Sequence, residues 1–117
     1  MVSEVFGVGL PHKVSVYVPS TQNVNLNLSD DAHKNILDST IRFMSELYGG
    51  ATAVTARGAY VTTDGLMVVE TVTVVTAYTD KPDLAKQRRV KLFCQSIRRS
   101  LGQEAVAVEV DGEMYFV

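Results

Sequence analysis

From Ala51 to Thr79 the chain is dominated by valine, threonine and alanine, split once by Asp64-Gly65. β-Branched residues pack well on a pleated surface, and an Asp-Gly pair between two such segments favours a tight reversal. The run therefore predicts two strands, Ala51 to Thr62 and Leu66 to Thr79, joined as a hairpin. In the second, one alternation carries Val68, Glu70, Val72, Val74, Thr76 and Tyr78; the other carries Met67, Val69, Thr71, Thr73, Val75 and Ala77. A strand apolar on both faces belongs in the middle of a sheet, and Glu70 is its conspicuous exception. Gly58 predicts a bulge or twist in the first strand.

Each side of this hairpin carries an amphipathic helix. Ile36, Leu37, Ile41, Met44, Leu47 and Tyr48 recur at three- and four-residue steps, with Ser29 or Asp30 as cap and Gly49-Gly50 as stop. The second helix is expected to begin at Asp80-Lys81-Pro82-Asp83, with Asp80 capping. Its buried stripe is Val90, Phe93, Cys94, Ile97 and Leu101, and Gly102 ends it. Outside these lie an alternating strand from Lys13 to Val18, ended by Pro19, and another from Ala105 to Val110. Beyond Asp111-Gly112, residues Met114 to Val117 are placed to pair back as a hairpin. The Asn23–Leu28 segment reads as a loop or edge strand laying Val24, Leu26 and Leu28 on the domain, or covering a ligand.

The order is β-α-β-β-α-β, which predicts an α+β, ferredoxin-like sandwich: an antiparallel sheet with two helices on one face. A chain of 117 residues supports one domain, with residues 13–117 forming the sandwich and residues 1–12 a flexible lead-in. Two helices cover only one face of such a sheet. The other carries valines and tyrosines that call for a partner, so a homo-oligomer, trimer or dimer through the sheets, is expected.

Composition excludes several chemistries. Cys94 is the single cysteine, so no internal disulfide forms, and its position on the helical stripe makes it a core residue. His12 and His33 have no second ligand at metal spacing and read as solvent-exposed. Neither metal nor cofactor is expected. A net charge of -2 gives no global field for nucleic acid. No apolar run is long enough to span a bilayer, and the N-terminus lacks the features of a signal peptide, so a cytoplasmic location is expected.

Two sets of polar residues stand out. Arg57, Tyr60, Glu70, Gln103 and Glu104 gather near the central hairpin and the start of the last strand, as an inter-subunit ligand site or a structural network. A turn centred on Asp64-Gly65 sets Tyr60 near Val69 and Arg57 near Val72, within reach of an Arg57–Glu70 pair. The second helix holds six of the eleven basic residues, and Arg88, Lys91, Arg98 and Arg99 share its outer side. That side is an ordinary solvated face or a binding surface for an acidic protein or phosphorylated small molecule.

The stretches Tyr17-Val18-Pro19-Ser20-Thr21, Gly49-Gly50-Ala51-Thr52, Gly58-Ala59-Tyr60, Asp64-Gly65 and Gly102-Gln103-Glu104-Ala105-Val106 resemble a family of small uncharacterised proteins of bacteria, phages and mobile elements. The resemblance implies no activity. The order of elements is also similar to that of PII-like and CutA-like trimers, where ligands sit between subunits. With no nucleophile elbow, P-loop or dinucleotide fingerprint, the leading expectation is a non-catalytic, homo-oligomeric binding protein that captures a host protein or small signalling molecule. The alternatives are a PII-like sensor of nucleotides or other small molecules, and a small enzyme with Glu70 or Glu104 as base.

Overall fold

The computed structural model describes residues 1–22 and 26–117. A short helix α1 (Val2–Phe6) precedes β1 (His12–Pro19). A small hairpin of β2 (Thr21–Gln22) and β3 (Leu26–Asn27) leads into α2 (Asp30–Tyr48). There follow β4 (Thr52–Val61), β5 (Met67–Thr79), α3 (Leu84–Leu101), β6 (Ala107–Val110) and β7 (Glu113–Phe116). The main sheet runs β4-β5-β1-β6-β7, antiparallel throughout, with α2 and α3 on one face. This is the ferredoxin-like order expected from the sequence, extended by β7.

Local chemistry fixes the helix ends. Ser29 Oγ accepts from the Ala32 N–H at 3.2 Å, and Gly49 closes α2 in the left-handed conformation at φ 93°. The cap of α3 is Asp83, not Asp80: its carboxylate accepts from the Lys86 N–H at 3.1 Å, three residues later than the expected start. Pro82 explains the difference, because it disfavours helical geometry in the residue before it.

Register divides the sheet into two faces. Val14, Val16 and Val18 lie opposite Ala77, Val75 and Thr73, and all six are buried. Met44, Leu47, Val90, Cys94, Ile97 and Leu101 close over them from the helices. Phe43 and Phe93 stack between the helices at 4.3 Å between ring centres. Burial pushes the Cys94 thiol up to about 12, which leaves it protonated and inert, in keeping with its reading as a core residue. Met44 is wholly buried, so Met44→Ala is expected to cost about 2–5 kcal/mol, measured by urea unfolding.

Several finer expectations are corrected. Val61 pairs with Met67 around a five-residue loop, shifting the register by one from a two-residue turn at Asp64-Gly65. The Thr62 side chain makes the difference: its hydroxyl bonds Asp64 and Leu66, closing the wider loop. Arg57 then faces Thr71 and Glu70 faces Gly58, which puts Arg57 and Glu70 on opposite faces and excludes the ion pair. Pairing is continuous through Gly58, so there is no bulge. In the lead-in, residues 2–6 form a helical turn and His12 already belongs to β1. Of the Asn23–Leu28 segment, residues 23–25 lie outside the described residues, and Leu28 packs on the core.

His12 is not simply solvent-exposed. Its Nδ1 lies 2.8 Å from Asp111 Oδ2, while Asp111 Oδ1 accepts from the Lys13 N–H at 2.8 Å. His33 is half-buried, with Nδ1 unpartnered among the described residues. The Lys13 N–H, then His12, hold the Asp111 carboxyl below its ordinary 3.8. A depressed carboxylate contributes stability above its unfolded pKa and loses it as pH falls through the folded value. Asp111→Asn, which tolerates the φ of 51° there, should therefore flatten the fall in thermal midpoint below about pH 4, read by circular dichroism.

Candidate functional site

The face away from the helices is covered by no described element of the chain. It carries Thr52, Val54, Ala56, Gly58 and Tyr60 of β4, and Val68, Glu70, Val72, Val74, Thr76 and Tyr78 of β5. Lys13, Ser15, Tyr17 and Pro19 of β1 continue it, followed by Ala107 and Glu109 of β6 and Met114 and Phe116 of β7. Near its middle the Lys13 ammonium meets Glu109 at 2.9 Å. Towards the loop that precedes β6, the face sinks into a groove of ≈ 570 Å³.

All five residues singled out from sequence border this groove: Arg57, Tyr60, Glu70, Gln103 and Glu104. Their roles differ. Tyr60 and Glu70 point onto the open face by strand alternation. Gly58 lies directly opposite Glu70; a Cβ there would meet only Val72, at 4.0 Å, so the glycine leaves a notch beside the carboxylate. Glu104 stands in the loop between α3 and β6, which Gly102 initiates with φ 60°. Gln103 is committed elsewhere: its Nε2 donates to the Thr21 carbonyl at 2.8 Å and to Thr21 Oγ1 at 3.0 Å. That clamps the Glu104 loop to the start of β2 and leaves only the amide oxygen of Gln103 as an acceptor. Arg57 borders the groove from a strand position whose side chain faces the opposite way.

Tyr17, Val72, Met114 and Phe116 complete the apolar part of the wall, and sequence reasoning did not select them. The signal for Tyr17 was present, since it alternates against Val14, Val16 and Val18. Met114 and Phe116 became wall residues only through the pairing of β7 on β6. Among the described residues, neither Glu70 nor Glu104 has an ion-pair partner, so the groove is an acidic, aromatic-lined recess. Such a recess suits a cation that also carries flat apolar surface. The basic residues Arg88, Lys91, Arg98 and Arg99 belong to α3, on the other side of the sheet from this recess.

No family model and no curated protein matches the chain. Two solved structures do match its fold. A phage SAM lyase in complex with S-methyl-5'-thioadenosine aligns with a TM-score of 0.65 at 18% identity, covering 94% of this chain and 91% of that one. A phage SAM lyase in the apo state aligns with the same score and identity, covering 91% and 87%. The match overturns the leading expectation of a non-catalytic binding protein and the alternative of a sensor, since both matched structures are of a lyase. The lack of a nucleophile elbow, P-loop or dinucleotide fingerprint does not by itself exclude catalysis. No described helix is long and apolar enough to cross a membrane.

Proposed function

We propose that the protein is an enzyme that cleaves S-adenosylmethionine within the open-face groove, releasing S-methyl-5'-thioadenosine. The observation that carries this reading is the acidic, aromatic groove itself, on the fold shared with phage SAM lyases. S-adenosylmethionine bears a sulfonium, an ammonium, a ribose diol and a flat adenine. Glu70 and Glu104 complement the cationic and hydroxyl groups; Tyr60, Met114 and Phe116 offer surface to the ring and the sulfur.

Release of S-methyl-5'-thioadenosine fixes the broken bond as that between sulfur and the γ-carbon of the four-carbon fragment. A lyase adds no water, so the fragment must close or become unsaturated. The groove is lined by carboxylates and tyrosines but by no lysine or histidine. A carboxylate is a weak base toward an unactivated C–H. Ring closure needs none: the substrate's own carboxylate oxygen bonds the γ-carbon as the C–S electron pair returns to sulfur. The product is a lactone, and the positive charge of the sulfonium disappears in the step. The protein accelerates such a reaction by folding the carboxylate back on the γ-carbon and keeping water away.

A groove open along one side excludes water poorly. Val54, Tyr60, Met114 and Phe116 are each at least 44% exposed on the open face, apolar surface that calls for cover. A second copy packed on the open face closes the groove. The active species is accordingly a homo-oligomer.

Incubation with S-adenosylmethionine followed by proton NMR tests the reading. S-methyl-5'-thioadenosine and the lactone should appear together at equal rates. An unsaturated amino acid in place of the lactone would refute ring closure, and unchanged substrate would refute the activity.

A further inference from the structure

Helix α3 has two working sides and a third whose cations form no ion pair among the described residues. Val90, Cys94, Ile97 and Leu101 are buried in the core. Lys86 and Arg89 lie towards α2, over the rings of Tyr48 at 5.7 Å and Phe43 at 5.9 Å. At 100° per residue, Leu84, Arg88, Lys91, Leu92, Arg98 and Arg99 share the remaining sector, about 120° wide. Leu84 and Leu92 are 66% and 63% exposed. Among the described residues, none of these four cations has an ion-pair partner.

The charge is segregated as well as unpaired. With six of the eleven basic residues and no acidic one on α3, the other 99 residues hold five basic and thirteen acidic residues. We infer that this side of α3 is a docking surface for an acidic protein segment that carries apolar side chains for the two leucines. It is a surface separate from the groove, and its occupant is defined by charge complementarity. From Arg88 to Arg99 the stripe spans about 16 Å, which three turns of a partner helix would cover. Nucleic acid fits worse, because leucines interrupt the stripe and no aromatic lies on it for a base to stack upon. A bilayer fits worse still: the apolar side of α3 is already buried in the core and unavailable to lipid.

The test measures fluorescence anisotropy of a labelled 15-residue peptide of glutamate, aspartate and leucine, with single-stranded DNA and phosphatidylserine vesicles in parallel. The peptide should bind, more weakly as salt rises. The triple variant Arg88→Glu, Lys91→Glu, Arg99→Glu should lose about thirtyfold in affinity. Leu92→Ser should lose about fivefold. Both variants should keep the wild-type melting curve and the wild-type rate of S-methyl-5'-thioadenosine release. Peptide binding that is absent or indifferent to the triple variant would overturn the proposal. So would DNA or vesicles binding more tightly than the peptide, or dissociation of the homo-oligomer by the triple variant, which would make the stripe a contact between copies. A chain inactive on S-adenosylmethionine that still binds the peptide through this stripe would refute the proposed activity alone.

Discussion

Glu70→Gln and Glu104→Gln should each lower kcat/KM for S-adenosylmethionine by about a hundredfold, the worth of one charged contact in a partly desolvated site. The loss is expected almost entirely in KM. In ring closure the sulfonium charge vanishes between reactant and transition state. A carboxylate that attracts that charge therefore holds the substrate at least as firmly as the transition state, and its removal weakens binding without slowing the chemical step. Steady-state kinetics with each variant decide the matter. A kcat reduced by about a thousandfold at unchanged KM would instead mark the carboxylate as a proton acceptor and contradict the ring-closure account.

Gly58→Val should separate folding from function. The glycine sits mid-strand opposite Glu70, where a new Cβ meets nothing closer than Val72 at 4.0 Å. Valine suits a strand far better than glycine does, so the variant should be more stable by about 0.5–1 kcal/mol. Its two methyls would stand in the notch beside Glu70, inside the groove. Turnover should fall at least about a hundredfold, the cost of displacing the substrate by roughly an ångström. Thermal melting and the product assay on one preparation check both halves. A more stable protein with full activity would place the substrate elsewhere.

Periodicity carried the fold a long way. The stripes of α2 and α3, the glycine stops and the two-faced apolar character of β5 are local signals, and they led to the ferredoxin-like order. The register of β4 on β5 was not legible in the same way, because it depends on the hydroxyl of Thr62 rather than on the Asp64-Gly65 pair. One residue of slip sends every side chain to the other face, which is why the ion pair foreseen between Arg57 and Glu70 does not form. The candidate site was legible as a set of residues and not as a set of roles. Gln103 was selected as a ligand group, yet its amide is held by Thr21 across 82 positions of sequence. Met114 and Phe116 entered the wall through the foreseen hairpin of β7 on β6, whose register decides which of its side chains face the groove.

The most direct test of the groove as the substrate's seat uses the methionines. Met114 lines it and Met44 lies at the centre of the core. With the methionine methyls labelled by carbon-13, titration with S-methyl-5'-thioadenosine should shift the Met114 resonance and leave that of Met44 in place. A Met114 signal unmoved at saturating ligand would contradict the assignment of the groove.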